Sequence, residues 1–101
     1  MKSDDDRWHD ERVIAGSGNT FIDLGFEPAE ARVLAMRAEI MLRIEAQLRS
    51  QGWSQAEAAR RLGITQPRVS RLVRGEWRDF SLDTLLKLAL RAGLAATLRV
   101  A

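Results

Sequence analysis

Side chains that can read and hold nucleic acid are concentrated in the second half of the chain. Residues 53–78 contain six arginines and two glutamates, a net charge of +4, whereas residues 1–30 contain three basic and eight acidic residues, a net charge of −5. An arginine can donate two hydrogen bonds to phosphate or to a guanine edge, and a glutamine amide can pair with an adenine edge. These residue types favour DNA binding, and the alternative is a basic face that is merely solvated.

Two short helices joined by a glycine turn are predicted to position these side chains. Ser54 and Glu57 have the spacing of a capping box, which predicts the start of the first helix. Gly63 can adopt the left-handed conformation that turns the chain. Thr65 then predicts the start of the second helix, which ends at Gly75. Its residues that do not face the core are Gln66, Arg68, Ser70, Arg71 and Arg74.

A longer helix is predicted before this pair and a shorter one after it. Pro28 is preorganised for the first position of a helix that ends near Ser50, and Ser81 caps a last amphipathic helix that ends at Gly93. Residues 94–101 alternate and predict one β-strand for dimerisation. Its apolar side consists of Leu94, Ala96, Leu98 and Val100. Because a lone strand has unpaired edges, we expect it to pair with a second copy or with a sheet edge in another protein.

The first 26 residues are predicted to form a flexible acidic arm, because residues 1–20 have neither a helical nor a strand period. The end of the arm carries four apolar side chains, which we expect to dock on the domain or on a partner: Phe21, Ile22, Leu24 and Phe26. The long helix that follows is apolar over a wider arc than a small core needs. Either another chain covers this arc, or Phe21 and Phe26 fold back over it.

The sequence offers few groups for catalysis or metal binding. It has one histidine, His9, and no cysteine, so that disulfides and thiolate zinc sites are excluded. It has no glycine-rich phosphate loop or hydrolase motif, and the carboxylates of residues 4–6 lie in the arm. We therefore expect no enzyme activity, no metal and no cofactor. Since no stretch approaches the roughly 20 apolar residues of a membrane span, we also expect a cytoplasmic protein that does not enter membranes.

The stretch SQAEAARRLGITQPRVSRLVRG, residues 54–75, resembles the helix-turn-helix of the lambda-repressor-like, or XRE, family. The resemblance continues into FSLDTLLKLALRAG and covers roughly residues 31–93. It implies an all-α, lambda-repressor-like bundle of four to five helices, with residues 27–93 as the DNA-binding domain. The predicted C-terminal strand in place of a fifth helix is a departure from the family pattern.

The resemblance also implies which residues contact DNA. In such a motif the second helix enters the major groove and the first crosses the phosphate backbone. Gln55 matches the family glutamine that contacts phosphate, and Gln66 and Arg71 match positions that touch base edges. The full set of expected DNA contacts is Gln55, Thr65, Gln66, Pro67, Arg68, Ser70, Arg71, Arg74 and Arg78. One module makes few contacts, so we expect a homodimer on the two half-sites of a palindromic operator.

The layout of the whole chain resembles a smaller group, the HigA-like antitoxins. The resemblance rests on four segments in order, which are GSGNTFIDLGF, a helix containing AEARVLAMRAEIMLRI, the helix-turn-helix motif and a closing strand. This resemblance implies a repressor of its own operon that also neutralises a RelE/HigB-like ribonuclease toxin. The expected toxin contacts are Phe21, Ile22, Leu24 and Phe26. Two alternatives stay open, which are a free-standing XRE-family regulator of phage or host genes and an interaction module whose motif helices serve only packing.

Overall fold

The computed structural model describes residues 18–100. Over this range the chain forms five α-helices and one 3₁₀ turn. These elements are α1 (Gly18–Asp23), α2 (Pro28–Ser50), α3 (Gln55–Leu62), α4 (Gln66–Val73), the 3₁₀ turn (Trp77–Asp79) and α5 (Leu82–Arg91). The all-α bundle expected from the sequence is confirmed for this part of the chain. No helix among the described residues is long and apolar enough to cross a membrane.

The helix boundaries follow the capping residues that the sequence indicates. The hydroxyls of Ser54, Thr65 and Ser81 each accept a hydrogen bond from the backbone N–H three residues later, at 3.1, 3.3 and 3.1 Å. Helix α2 begins after Glu27, whose carboxylate accepts two hydrogen bonds from the first turn. Gly63 ends α3 with a φ of 72°, a conformation that is strained for any residue with a Cβ atom. The predicted capping residues and glycine turn are therefore confirmed.

Helices α2 to α5 pack around one apolar core. Its large buried side chains are Met41, Ile44, Leu48, Leu62, Val69, Leu72, Phe80, Leu85 and Leu88. The C-terminal end of α5 is tied to other helices by two long-range hydrogen bonds, from Gln47 Nε2 to the Ala92 carbonyl and from Arg91 Nη1 to the Leu62 carbonyl, each 3.0 Å long. Helix α4 is consequently supported on its inner side, and its outer side faces solvent.

The first described helix, α1, lies within the segment for which the sequence predicts a flexible arm. Residues 1–17 of that arm lie outside the described residues. Phe21 is completely buried and forms a second apolar cluster with Ala31 and Leu34, against which Phe26 packs. Phe21 and Phe26 therefore fold back onto α2, as one of the two explanations for its wide apolar arc expects, but they cover only part of the arc, since Val33 and Met36 are still 37% and 47% exposed. An isolated six-residue helix is unstable in water, so the contact with α2 stabilises α1.

The β-strand predicted for residues 94–101 is not seen in the structure. Residues 94–100 have no regular secondary structure, and residue 101 lies outside the described range. Leu94 is half-buried against the core, but Leu98 and Val100 are 81% and 85% exposed. An alternating pattern marks two faces of an extended chain, whereas a strand also needs hydrogen bonds from a second strand. The prediction of a strand was wrong for this single chain, since none of the described residues supplies that second strand.

Candidate nucleic-acid interface

Helices α3 and α4 form a corner in which apolar residues face inwards and polar residues face outwards. Ala58 and Ala59 are small and buried, which allows the two helices to approach closely. The Gly63 N–H donates to the Ala59 carbonyl at 2.9 Å and closes the turn between them. Val69 and Leu72 are fully buried on α4, as the helical period predicts. Val73 is buried as well, and the other side chains of α4 are left on the outside of the corner.

Most of the side chains predicted to contact DNA lie on this outer surface. Thr65, Pro67, Arg71, Arg74 and Arg78 are exposed. Gln66, Arg68 and Ser70 are half-buried. Arg71 lies on the outer side of α4, and its side chain has no hydrogen-bond, ion-pair or ring partner among residues 18–100. A guanidinium without a partner in the protein is free to donate to a base edge or to phosphate.

The segment that follows α4, residues 76–80, contacts other arginines of the predicted set through its aromatic side chains. We call this segment the linker. The guanidinium carbon of Arg68 lies 4.5 Å from the centroid of the Phe80 ring. That of Arg78 lies 4.4 Å from the centroid of the Trp77 ring. Cation–π contacts of this kind restrict where a long side chain points while leaving its outer N–H groups available.

Arg74 is held by a carboxylate of the same linker. Its Nε and Nη2 atoms lie 3.0 and 2.8 Å from Glu76 Oε2, and its Nη1 donates to the Ser70 hydroxyl at 3.1 Å. Both members of the ion pair are about half exposed, with 50% and 42% of their side chains accessible. Exposed pairs of this kind contribute little to stability. A phosphate could therefore replace the Glu76 carboxylate at small cost, which suits Arg74 to backbone contact.

Gln55 is placed differently from what the family resemblance implies. Its residue is 1% exposed, at the N-terminal end of α3, so its side chain cannot reach a phosphate in this conformation. A polar side chain in the first turn of a short helix is normally on the surface, but the helical spacing of the sequence indicates the opposite for Gln55. Ala58, Ala59 and Leu62 show which side of α3 is buried, and Gln55 lies one turn before them on that side.

Sequence reasoning missed an arginine pair on α3, the helix that crosses the phosphate backbone in this kind of motif. Arg60 and Arg61 are exposed, and both donate hydrogen bonds to the carboxylate of Glu57, Arg61 Nε at 2.7 Å. These hydrogen bonds lower the pKa of Glu57 from 4.5 to about 2. Arg61 also lies over the Trp53 ring, 4.8 Å from its centroid. The excess of arginines in residues 53–78 was the signal that could have identified this pair.

Neither the residues predicted for toxin binding nor those predicted for dimerisation are all exposed. Phe21 is completely buried and Phe26 half-buried, while Ile22 and Leu24 are 44% and 63% exposed. Leu94 packs partly against the core. The other three residues of the predicted strand, Ala96, Leu98 and Val100, are exposed. Any partner that uses either set therefore has direct access to only part of it.

A protein-family model described as a helix-turn-helix domain matches residues 20–101. The match begins within α1 and includes α3, the turn at Gly63 and α4. No curated protein matches the chain. The matched region contains every residue of the outer surface described above.

Proposed function

We propose that this chain, since it belongs to the helix-turn-helix domain family, is a sequence-specific DNA-binding repressor of transcription. The observation that carries the proposal is the outer side of α4, where Arg71 is exposed and has no protein partner among the described residues. The inner side of the same helix is fixed to the core by Val69 and Leu72. A rigid helix with free polar groups on one side is what base reading requires.

In the proposed complex, α4 enters the major groove with its N-terminus first, and α3 crosses the backbone. Gln66 and Arg71 would read base edges, and Arg74 and Arg78 would hold phosphates from the far end of α4. The proposal contains no catalytic step and no cofactor, in line with the sequence. A cytoplasmic location stays a prediction.

A binding assay with defined DNA tests this function. Fluorescence anisotropy would compare a duplex from the region upstream of the protein's own gene with a shuffled duplex of equal composition, over a range of salt concentrations. We expect tighter binding to the upstream duplex and an affinity that falls steeply with salt for both. Arg32→Ala is a matched control, since it removes one exposed positive charge from α2 and none from α3 or α4.

Equal affinity for the two duplexes would exclude sequence-specific binding of that region. Absence of binding to any duplex would favour the interaction module, in which the motif helices serve only packing. We expect Arg32→Ala to bind like the unmodified protein. A loss of binding in this control would mean that total charge, rather than the α4 surface, determines the interaction.

We further propose that the repressor is a homodimer on a palindromic operator. The chain tail after Leu94 leaves Leu98 and Val100 81% and 85% exposed, and on the neighbouring helix Leu90 is 58% exposed. Exposed apolar side chains this close in sequence favour burial against a second copy. The proposed pairing is the antiparallel one that the alternating pattern predicts.

Two variants in the tail test this dimer. The alternating pattern places Leu98 on the apolar face of the proposed two-stranded sheet and Thr97 on the opposite face, and both are exposed in the single chain. Leu98→Asp should shift the sedimentation coefficient from dimer to monomer and abolish binding to a two-half-site duplex. Thr97→Asp, which adds the same charge, should change neither. A monomeric unmodified protein, or equal effects of the two variants, would contradict the pairing.

The HigA-like layout supports a second role, which is neutralisation of a RelE/HigB-like toxin. The exposed Ile22 and Leu24 on and after α1 are the accessible part of the predicted toxin contacts. Coexpression with the product of the adjacent gene should give a copurifying complex and restore growth that the product alone stops. Ile22→Asp with Leu24→Asp should weaken that complex. If the product of the adjacent gene neither binds this chain nor stops growth, the antitoxin role is excluded for that pair, and the free-standing XRE-family regulator is the remaining function.

A further inference from the structure

We propose that Phe21 and Trp77 are positioning residues for DNA binding, which hold the linker so that Arg78 faces the phosphate backbone. The inference rests on the proposed function and goes beyond it, because it gives α1 a part in DNA binding although α1 lies outside the two motif helices. It is carried by the contacts that Trp77 makes with both apolar clusters.

The first step is the position of the linker directly behind α4. Gly75, with a φ of 77°, ends the helix, and the 3₁₀ turn Trp77–Asp79 follows at once. The Glu76 N–H donates to the Arg71 carbonyl at 3.1 Å, and the Trp77 N–H donates to the Gly75 carbonyl at 2.8 Å. The backbone of the linker is therefore continuous with the C-terminal end of α4. Any movement of the Trp77 ring would be passed on directly to Arg78.

The second step is the role of Trp77 as a bridge. Its ring packs against the main core and also against the separate cluster around Phe21. The ring centroids of Phe21 and Trp77 are 5.2 Å apart and those of Phe26 and Trp77 are 5.9 Å apart, both edge to face. Aromatic pairs with this geometry are stabilised beyond simple burial. Arg78 also lies over the Trp77 ring, so the aromatic cluster and the arginine share one side chain.

The third step is the dependence of α1 on Phe21. The helix has six residues, and Phe21 is its fully buried large side chain, whereas Ile22 is 44% exposed. A helix this short is unstable by itself, so the packing of Phe21 accounts for most of its attachment. Loss of Phe21 would remove the closer of the two aromatic neighbours of Trp77. Trp77 and Arg78 would then sample more orientations, and the phosphate contact would be lost in most of them.

The predicted signature is a change in salt dependence rather than in base preference. Each phosphate contact adds about 0.9 to the negative slope of log affinity against log salt concentration. Removal of a phosphate-contacting side chain should lower that slope by about 1 and weaken all sequences alike. Phe21→Ala should therefore behave like Arg78→Ala, although it removes no charge. If Phe21 served only to stabilise the fold, the folded molecules of Phe21→Ala would show the same slope of log affinity against log salt concentration as the unmodified protein.

The experiment measures this slope for Phe21→Ala, Arg78→Ala and the double variant, each at a temperature where circular dichroism shows it to be folded. We expect both single variants to lose about 1 unit of slope per bound protomer and the double variant to lose no more. Met36→Ala is the control, since it shortens an apolar side chain that is 47% exposed on α2. Phe21→Leu and Trp77→Leu keep apolar side chains but remove the ring contacts, and they test the same prediction if Phe21→Ala does not fold.

The outcomes separate this inference from the proposed function. If the unmodified protein binds no DNA, the proposed function fails and the inference fails with it. If the unmodified protein binds specifically and the Phe21 and Trp77 variants keep its slope, only the inference fails. A double variant whose loss is the sum of both single losses would also overturn it, because Phe21 would then act independently of Arg78.

Discussion

Arg68 on α4 lies over the ring of Phe80, with the guanidinium carbon 4.5 Å from the ring centroid. Phe80 is fully buried in the main core, whereas Arg68 is half-buried at the surface. The contact therefore connects a predicted DNA-binding side chain directly to the core. An arginine held in this way loses less conformational freedom when it binds, which favours tight binding.

This contact should appear as coupling between the two residues in stability measurements. We expect a double-mutant cycle of Arg68→Ala and Phe80→Leu to give a coupling of about 0.5 to 1 kcal/mol in the free energy of unfolding. Urea denaturation followed by circular dichroism measures it. Arg61→Ala combined with Phe80→Leu is the control, because Arg61 lies over Trp53 instead, and that pair should be additive. Zero coupling for Arg68 would show that the ring does not hold the guanidinium in solution.

Arg71 and Arg74 should differ in what their loss does to DNA recognition. Arg71→Ala should cost about 1 to 3 kcal/mol of binding free energy and relax base preference at one position of each half-site. Arg74→Ala should weaken all sequences alike, because Arg74 lies at the far end of α4, beside Glu76. Competition binding against duplexes with single base substitutions measures both effects. An equal loss of discrimination in the two variants would overturn the assignment of roles.

The parts of the fold that the sequence predicts are those determined by neighbours along the chain. Ser54, Thr65 and Ser81 cap their helices by accepting a hydrogen bond from the backbone N–H three residues later. Gly63 turns the chain because glycine readily adopts the left-handed conformation. The burial of Val69 and Leu72 follows from helical period alone. Local rules therefore suffice for α3, for α4 and for the outer surface of the candidate interface.

The parts that the sequence did not predict depend on contacts between distant segments. Helix α1 is stabilised by the packing of Phe21 against α2 and against Trp77, 56 positions later in the numbering, and no local pattern indicates the contact with Trp77. The burial of Gln55 depends on how α3 packs against its neighbours. In the tail of residues 94–100, by contrast, the local pattern predicts a strand that the structure does not show. The pattern alternates, but the second strand that it needs is not among the described residues.

Thr65 is both the cap of α4 and a predicted DNA contact, and two variants can separate these roles. Thr65→Ala should lower the free energy of unfolding by about 1 kcal/mol, because the Arg68 N–H loses its side-chain acceptor and keeps only the Thr65 carbonyl. Thr65→Ser should keep the cap and most of the stability. Ser81→Ala is the matched control, since it removes the equivalent cap from α5, away from the interface. Thermal unfolding and DNA binding would be measured for all three.

The Thr65 variants have distinct expected outcomes in the binding assay. Thr65→Ala should weaken DNA binding, whereas Ser81→Ala should lower stability by a similar amount and leave binding unchanged at temperatures where the protein is folded. If Ser81→Ala weakened binding equally, lost stability alone would explain the effect. The proposed contact between Thr65 and DNA would then be contradicted.

Glu57 should make the stability of the domain depend on pH in the acid range. Hydrogen bonds from Arg60 and Arg61 lower the pKa of Glu57 from 4.5 to about 2. Because the pKa is lower in the folded state, the carboxylate stabilises the fold fully above about pH 4.5, and this contribution is lost as the pH falls towards 2. Glu57→Gln removes the titrating group. The urea midpoints of the two proteins should differ above pH 5 and converge as the pH approaches 2.

The two arginines supply the matched control for this prediction. The double variant Arg60→Ala, Arg61→Ala leaves Glu57 in place but removes both donors, so its carboxylate should titrate near the ordinary pKa of 4.5. NMR titration of the Glu57 side-chain carboxyl carbon would measure the pKa directly in both proteins. The double variant should also lose the difference in urea midpoint between pH 5 and pH 2. A carboxyl carbon that titrates near pH 4.5 in the unmodified protein would show that the two arginines do not hold Glu57 in solution.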